Sequence, residues 1–392
     1  MRLKSLDVLR AVAVLLVLGR HFEIVKWWYM AGWTGVNLFF VLSGFLISGL
    51  LFSEFKTYSR IRVGHFLVRR GFKIYPPFYF MIGFSLAMIL AYHRPIPWPR
   101  FFGEFFFLQN YYNQFWGPTW SLAVEEHFYL ALPVLLILLA RFSRGSSDPF
   151  RALPAIFLAV GVAVLAARFW ICPADPVTVT GRLFQTQYQM DSLLFGVVIA
   201  YFFHFRASLF AKISRWKRPW VAVASLLCIA PSVFLDFYNS YFMQTTGHVL
   251  LYLGFGGMVM LAVTRPETGV RRLPGVFRSA GDQLALVGRH SYSIYLWHQP
   301  VASWGLDFLH RKGHLPANHA AQFLIYFAGS LTMGIALSKI VEYPALKLRD
   351  KLFPSRSGIL TNASPHMAGA AATVAGGGDL IPATVPPLFE KG

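Results

Sequence analysis

Ionisable residues interrupt an apolar segment near the amino terminus, and the spacing of two of them puts them on one face of a helix. Arg10 and His21 are eleven residues apart within the segment 6–25. In an α-helix that separation gives about 16 Å of rise and a rotation within about 20° of three full turns. An ionisable group inside hydrocarbon is costly and usually marks a functional site. The pair therefore predicts a cation at one end and a proton-accepting imidazole deeper in the membrane, although a lipid-facing arginine and a structural histidine also fit the pattern.

Four other apolar segments carry polar residues at a depth similar to that of His21, counted at about 1.5 Å per residue from the segment ends. These residues are Asn37, Glu125, Glu126, Asp191 and His298, with Ser43 nearer the middle. We expect one buried polar layer in which His21 is the catalytic base. Glu125 or Glu126 would orient the imidazole or bind hydroxyl groups of a substrate. Neighbouring helix residues point about 100° apart, so only one of the two can face His21, and the sequence leaves open which.

The roles of His298, Asp191 and Ser43 are interpreted as follows. His298 is expected either in the wall of the site or in the packed core, and Asp191 mainly in a structural contact. Ser43 would donate to a developing oxyanion or bond its own helix backbone. His21 itself could act as a general base or as a nucleophile, and the sequence does not separate these routes.

Basic residues precede the apolar segment 74–92. Arg60 and Arg62 fit a simple membrane anchor, whereas Arg69, Arg70 and Lys73 stand at the membrane edge. Positions 70 and 73 share a helical face. Guanidinium groups match the geometry of phosphate oxygens, so this group, together with Arg10, predicts a binding site for a phosphate-bearing ligand.

Composition indicates the kind of fold that must position these residues. The 392-residue chain is 56% hydrophobic and only 14% charged, with a mean hydropathy of +0.50. A soluble surface needs about 25% charged residues. The chain therefore has the composition of a multi-spanning, all-α membrane bundle. Cysteines are too few for a disulfide framework, no Cys/His spacing suggests a metal, and no glycine-rich turn suggests a nucleotide fold.

Ten apolar segments are long enough to cross about 30 Å of hydrocarbon. They are 6–25, 33–53, 74–92, 120–140, 152–170, 189–205, 219–237, 247–264, 284–304 and 320–341. If both termini are cytoplasmic, 26 of the 36 Lys and Arg residues lie on the cytoplasmic side and 7 lie opposite. This is the positive-inside bias of a bilayer protein, so the formal charge of +19 does not indicate nucleic-acid binding.

The domain organisation follows from the same segments. Residues 1–350 are predicted to form one transmembrane domain, and 351–392, rich in Ala, Gly, Ser, Thr and Pro, a disordered cytoplasmic tail. A proton-coupled transporter is the alternative reading of a buried polar layer. Paired repeats and matched broken spans, which are typical of transporters, are not evident. The oligomeric state stays undecided.

Five motifs in chain order resemble the acyltransferase 3 family of integral membrane acyltransferases. They are LDVLRAVA at 6–13 followed by His21, GVNLFFVLSGFLI at 35–47, RRGFKIYP at 69–76, TWSLAVEEHFY at 119–129 and GRHSYSIYLWH at 288–298. The resemblance covers about residues 1–350. It departs from the family pattern at Asn37, where Asp is common, and at Lys73, which replaces Arg and loses bidentate phosphate geometry.

This resemblance implies a ten-span helical core in the bacterial cytoplasmic membrane, among membrane lipids. It implies transfer of an acyl group, often acetyl, from acyl-coenzyme A to a hydroxyl, commonly of a surface or exported carbohydrate. Acyl-coenzyme A is then a co-substrate, with no separate cofactor. The family's functional pair corresponds to Arg10 and His21, and its basic motif to Arg69 and Arg70. The acceptor and the acyl group are not specified.

The charge distribution generates a topological prediction. Both termini and the loop 54–73 should be cytoplasmic, because the reverse orientation would put 26 basic residues outside. Reporter fusions ending at Phe353 and near Arg62 should both give a cytoplasmic signal. An external signal from either fusion would reject the depths assigned above.

Overall fold

Helices make up all the regular secondary structure of the residues that the computed structural model describes. These are residues 3–112, 114–143, 145–172, 181–216, 218–264 and 275–355. The helices are α1 (Lys4–His21), α2 (Lys26–Ala31), α3 (Thr34–Tyr58), α4 (Val63–Ala91), α5 (Trp98–Phe105), α6 (Trp120–Phe142), α7 (Leu153–Ile171), α8 (Met190–Phe205), α9 (Ala207–Trp216), α10 (Arg218–Ile229), α11 (Pro231–Phe234), α12 (Tyr241–Gln244), α13 (Thr246–Val263), α14 (Gly275–Arg289), α15 (Ser291–Pro300), α16 (Leu306–Arg311), α17 (His319–Leu337) and α18 (Tyr343–Leu352). The tail predicted for 351–392 lies outside the described residues from 356 onward.

Short non-α turns occur at four places next to these helices. The 3₁₀ turns Gly117–Thr119 and Thr186–Tyr188 precede α6 and α8. The π turns Val301–Gly305 and Ser338–Glu342 follow α15 and α17. Single π turns often occur at functional sites, and the second one carries Glu342, which contacts the site described below.

Six helical segments among the described residues are long and apolar enough to cross a bilayer. They are Thr34–Tyr58, Val63–Ala91, Gly117–Phe142, Leu153–Ile171, Thr246–Val263 and His319–Leu352. The pair Met190–Phe205 and Ala207–Ile213, bent by 111°, makes a seventh if it is one span. The all-helical class is therefore confirmed, and several helices fit a multi-pass membrane protein. The count of ten spans stays a prediction.

Three of the ten predicted segments form helices that do not meet these criteria. Most of the segment 6–25 lies in helix α1, which ends at His21 and whose charged residues make it too polar. The segment 219–237 is divided at Pro231 between α10 and α11. The segment 284–304 is divided among α14, α15 and a π turn. Charges and helix breaks, which are costly in lipid, need protein contacts around them.

Helix α3 lies at the centre of the bundle. Its most apolar stretch is 78% buried, against 11% for that of α7, which has a largely outward-facing surface. Four helices pack against α3: α1, α6, α8 and α13. Two glycines of α3 bring its backbone closest to the neighbouring helices. A Cβ built on Gly44 would lie 2.0 Å from the Leu193 carbonyl oxygen of α8, and one on Gly35 would lie 2.3 Å from that of Ala13 in α1.

The α3–α8 contact is reciprocal. A Cβ on Gly196 of α8 would lie 2.3 Å from the Val41 carbonyl oxygen of α3. Residues without a Cβ let helix backbones approach each other closely, and many membrane helices associate in this way. Gly35 and Gly44 both belong to the motif at 35–47, so this motif supplies two backbone contacts as well as Asn37 and Ser43.

Replacing Gly44 by alanine should therefore destabilise the bundle. Overpacking of this kind typically costs about 1–3 kcal/mol. Gly83→Ala is the matched control, because a Cβ there meets nothing within 4 Å and alanine favours a helix by about 1 kcal/mol. In thermal unfolding of the detergent-solubilised protein, Gly44→Ala should lower the midpoint while Gly83→Ala should not. Equal midpoints for the two variants would contradict the close approach.

Candidate active site

A charged cavity lies beside Arg10. Its volume is about 230 Å³. We call it the basic cavity, and its charged lining residues are Arg10, Arg70, Lys73, Arg289, Glu125 and Glu126. Helices α1, α4, α6 and α14 supply these side chains. The cavity therefore forms where helices distant in sequence pack together, and α3 and α15 complete its lining.

The phenol of Tyr129 organises one wall of the basic cavity. Its hydroxyl donates to Glu125 Oε2 and accepts from Arg70 Nη2 at 2.9 Å. Ser43 Oγ lies 2.6 Å from the same hydroxyl. The Arg70 guanidinium also stands 4.5 Å above the Tyr129 ring, within cation–π range. Ser43 thus bonds a side chain of another helix, and the tyrosine fixes both Arg70 and Glu125 at the cavity edge.

Glu126 lies on the same cavity but has a different partner. Its Oε2 accepts from Tyr75 at 3.0 Å, and its Oε1 has no hydrogen-bond partner among the described residues. Glu125 and Glu126 are therefore both grouped with Arg10 and Arg70, and neither lines the cavity of His21. The predicted grouping with His21 came from depth along single helices, which does not specify lateral position in the bundle.

Two predicted phosphate-binding residues already have acidic partners. Lys73 Nζ donates to Glu342 Oε1, and the fully buried Glu342 also accepts from Ser293 Oγ at 2.9 Å. Arg69 lies outside the basic cavity: its Nη2 is 3.0 Å from Asp350 Oδ1. Neighbouring helix positions point about 100° apart, so Arg69 and Arg70 cannot both face the cavity.

A second cavity of about 280 Å³ lies at the other end of α1. We call it the histidine cavity, and its arginine, histidine and amide lining residues are Arg20, His21, Asn37, Gln114, Gln189 and His248. His21 is exposed to it, and His21 Nδ1 lies 2.7 Å from Gln299 Nε2. Asn37 Nδ2 lies 3.3 Å from His248 Nδ1. The predicted layer is therefore divided, with His21 and Asn37 in this cavity.

His298 lies behind His21. The two ring centroids are 4.9 Å apart, and the buried His298 donates from Nδ1 to the Tyr295 carbonyl oxygen at 2.5 Å. Asp191 lines neither cavity. It forms a buried, two-pronged salt bridge with Arg168 at 2.8 and 2.9 Å, which joins α7 to α8. This is the structural contact expected of Asp191.

Val36 and Tyr295 line both cavities. The Tyr295 hydroxyl donates to the Pro118 carbonyl oxygen at 2.6 Å and lies 2.7 Å from Ser121 Oγ. Arg10 and His21 thus line different cavities, which share lining residues from α3 and α15.

Comparison with known proteins gives the family. A family model described as an acyltransferase domain matches residues 3–339. The chain belongs to the acyltransferase 3 family. The match includes every residue that lines either cavity, so both cavities belong to the family domain. The recognition made from the five motifs is confirmed.

Curated relatives are O-acetyltransferases by name. The chain is 28% identical over 322 residues to the peptidoglycan O-acetyltransferase OatA of Listeria monocytogenes, covering 76% of this chain and 49% of the relative. It is 27% identical over 378 residues to the O-acetyltransferase OatA of Staphylococcus aureus, covering 90% and 58%. The chain thus spans about half the length of these relatives. No solved structure shows a significant match.

Four residues of this acyltransferase 3 site were not singled out from the sequence. Tyr129 and Arg289 belong to the quoted motifs, so the sequence could have identified them. Gln299 directly follows the last motif. His248 is an ionisable residue near the start of an apolar helix, and its link to Asn37 comes only from packing.

The Lys73–Glu342 pair gives a stability prediction. Lys73→Met would leave the buried Glu342 carboxylate without its cation, and breaking a buried pair costs about 3–5 kcal/mol. The double variant Lys73→Met/Glu342→Gln should recover most of that loss. Lys339→Met, at an exposed lysine on the same π turn, is the control and should unfold like the parent. A Lys73→Met variant with a parental thermal midpoint would contradict the pairing.

Proposed function

We propose that this chain is a membrane O-acyltransferase that moves an acyl group, acetyl in the simplest case, from acyl-coenzyme A to a carbohydrate hydroxyl. One observation carries the proposal: a single helix, α1, presents a cation to the basic cavity and an imidazole to the histidine cavity. The name of the Listeria relative supports peptidoglycan as the acceptor. Membership of the acyltransferase 3 family supports the reaction type.

The proposal includes an orientation. Ten spans within a domain of residues 1–350, with both termini in the cytoplasm of a bacterium, would put the basic cavity on the cytoplasmic side. Acyl-coenzyme A is made in that compartment. The histidine cavity would then face the side on which exported carbohydrate lies. The excess of basic residues on one side supports this orientation.

The donor is assigned to the basic cavity. Arg10, Arg70 and Arg289 would contact its phosphates, because guanidinium groups form charge-assisted hydrogen bonds with phosphate oxygens. Lys73 and Arg69 are left out of this set because carboxylates bind them closely: Glu342 contacts Lys73, and Asp350 lies 3.0 Å from Arg69. The Asp7 carboxylate stands farther from Arg10, at 3.5 Å. At about 230 Å³ the cavity is smaller than the roughly 300–1,000 Å³ of typical ligand pockets. The basic cavity would therefore hold the narrow thioester arm of acyl-coenzyme A, and the nucleotide part would lie at the opening of the cavity.

The acceptor is assigned to the histidine cavity. Aromatic rings of Trp33, Trp120, Phe184, Phe237 and Tyr238 form much of its wall. Amides of Asn37, Gln114 and Gln189 stand among them. Flat apolar rings suit the faces of a sugar, and convergent polar groups fix a ligand's orientation. This lining supports a carbohydrate better than an apolar acceptor.

The chemical step joins the two sites at Val36 and Tyr295. His21 would take the proton of the acceptor hydroxyl as the oxygen forms a bond to the thioester carbonyl carbon. The carbon–sulfur bond then breaks, and the thiolate leaves with the proton returned by the imidazolium. Glu125 and Glu126 belong to the donor side, where Glu125 holds Arg70 through Tyr129.

Three single variants test this division of roles. His21→Ala should lower acetyl transfer by about 10²–10⁴-fold, the usual contribution of a general base, with donor affinity near the parental value. Arg70→Gln should weaken acetyl-coenzyme A binding by about 1.5–3 kcal/mol, because it removes a charge-assisted contact. Arg69→Gln should bind like the parent. The measurements are calorimetric binding of acetyl-coenzyme A and release of coenzyme A in the presence of peptidoglycan fragments.

Folded His21→Ala protein with near-parental transfer would reject the catalytic assignment. Equal weakening of donor binding by Arg69→Gln and Arg70→Gln would reject the donor site. A transporter with a buried proton relay is the competing class, since polar layers in membranes also serve transport. It would release no coenzyme A from acetyl-coenzyme A.

A further inference from the structure

The His21 ring has one close side-chain partner that the proposed mechanism has not used. Gln299, at the end of α15, places its amide Nε2 2.7 Å from His21 Nδ1. The residues are 278 positions apart in the chain, so the contact is made by the packing of α15 against α1. Among the described residues, Gln299 is the one side chain that hydrogen-bonds this ring.

A hydrogen bond at Nδ1 decides what Nε2 can do. A neutral imidazole carries one proton, so one ring nitrogen donates and the other accepts. If the Gln299 amide N–H donates to Nδ1, the proton lies on Nε2, and that nitrogen cannot take a proton from a hydroxyl. Rotation of the amide by 180° exchanges its oxygen and nitrogen in place. Its carbonyl then accepts the Nδ1 proton, and Nε2 keeps a lone pair.

Two other ionisable groups stand beside His21, and among the described contacts neither hydrogen-bonds its ring. Arg20, on the same helix, is a permanent donor that is held by Asp236 at 3.5 Å and by the Tyr29 ring at 4.3 Å. His298 of α15 uses Nδ1 on the Tyr295 carbonyl oxygen, and its Nε2 has no hydrogen-bond partner among the described residues. Its ring lies beside that of His21, at 4.9 Å and tilted by 49°.

We propose that Gln299 is the positioning residue of His21: its amide carbonyl accepts the Nδ1 proton and presents the Nε2 lone pair to the acceptor hydroxyl. Gln299 neither gains nor loses a proton in the step. It holds the tautomer and the ring orientation, as the third group does wherever a histidine base is oriented by a partner. The inference rests on the proposed function, because a lone pair on Nε2 matters only if His21 is a base.

Two substitutions separate this role from a structural one. Gln299→Leu removes the acceptor and should lower acetyl transfer by about 10–100-fold, the usual effect of losing a partner that orients a functional histidine. Gln299→Glu accepts but cannot donate, so it should keep transfer. Its carboxylate favours the imidazolium, so the acidic limb of the pH–rate profile should move to higher pH. The rate is measured as coenzyme A release from acetyl-coenzyme A with peptidoglycan fragments.

The matched control is Gln322→Leu. Gln322 donates to the Pro316 carbonyl oxygen at 2.9 Å and lines neither cavity, so its loss should change neither the rate nor the pH profile. Gln299→Leu at the parental rate would overturn the proposal. Gln299→Glu as slow as Gln299→Leu would overturn it as well, because the amide would then act as a donor.

A spectroscopic measurement tests the tautomer without turnover. In ¹⁵N NMR of ring-labelled protein, His21 is assigned by the signals that His21→Gln removes. The parent should carry its proton on Nδ1 with a bare Nε2, and Gln299→Leu should lose that preference. A proton on Nε2 in the parent would overturn the inference even if acetyl transfer is found. A parent with the Nδ1 proton but no transfer would instead contradict the proposed function.

Discussion

Backbone contact around α1 is the constraint on which both cavities depend. A Cβ on Gly288 of α14 would lie 1.7 Å from the Asp7 carbonyl oxygen, and one on Gly35 of α3 would lie 2.3 Å from that of Ala13. Because no side chain separates these helices, residues of α3 and α14 come close enough to enclose the groups that α1 presents. The rise of one rigid helix then sets the separation of Arg10 and His21 at about 16 Å.

Ion pairing differs among the cations of this bundle. Charges withdrawn from water need compensation, and this bundle supplies it for Arg168, Lys73 and Arg69 through carboxylates. Arg70 is bound differently, because its close partner is the neutral phenol of Tyr129. A phenol orients the guanidinium and leaves its charge in place. This difference is why Arg70, and not its neighbour Arg69, is proposed to bind the donor.

The two cavities differ in the chemistry of their linings, so the site has two distinct ends. Val36 and Tyr295 border both, and the Tyr295 hydroxyl is tied to the Pro118 carbonyl oxygen. The charged side suits a phosphate-bearing donor, while rings and amides line the side that contains His21. In the proposed reaction, a donor in the basic cavity and an acceptor in the histidine cavity would meet where the two linings share residues. The acyltransferase 3 domain matched at 3–339 contains this whole arrangement.

The sequence by itself determined the helical class, the family and the shared face of Arg10 and His21, since composition, motifs and helical periodicity are local properties. It did not determine which residues share a cavity. Glu125 and Glu126 matched His21 in depth, yet they line the cavity of Arg10. Depth follows from counting along one helix, whereas lateral position depends on how helices cross. For the same reason only the tertiary structure joined Gln299 to His21, Glu342 to Lys73 and His248 to Asn37, because each pair is made by side chains from helices far apart in the chain.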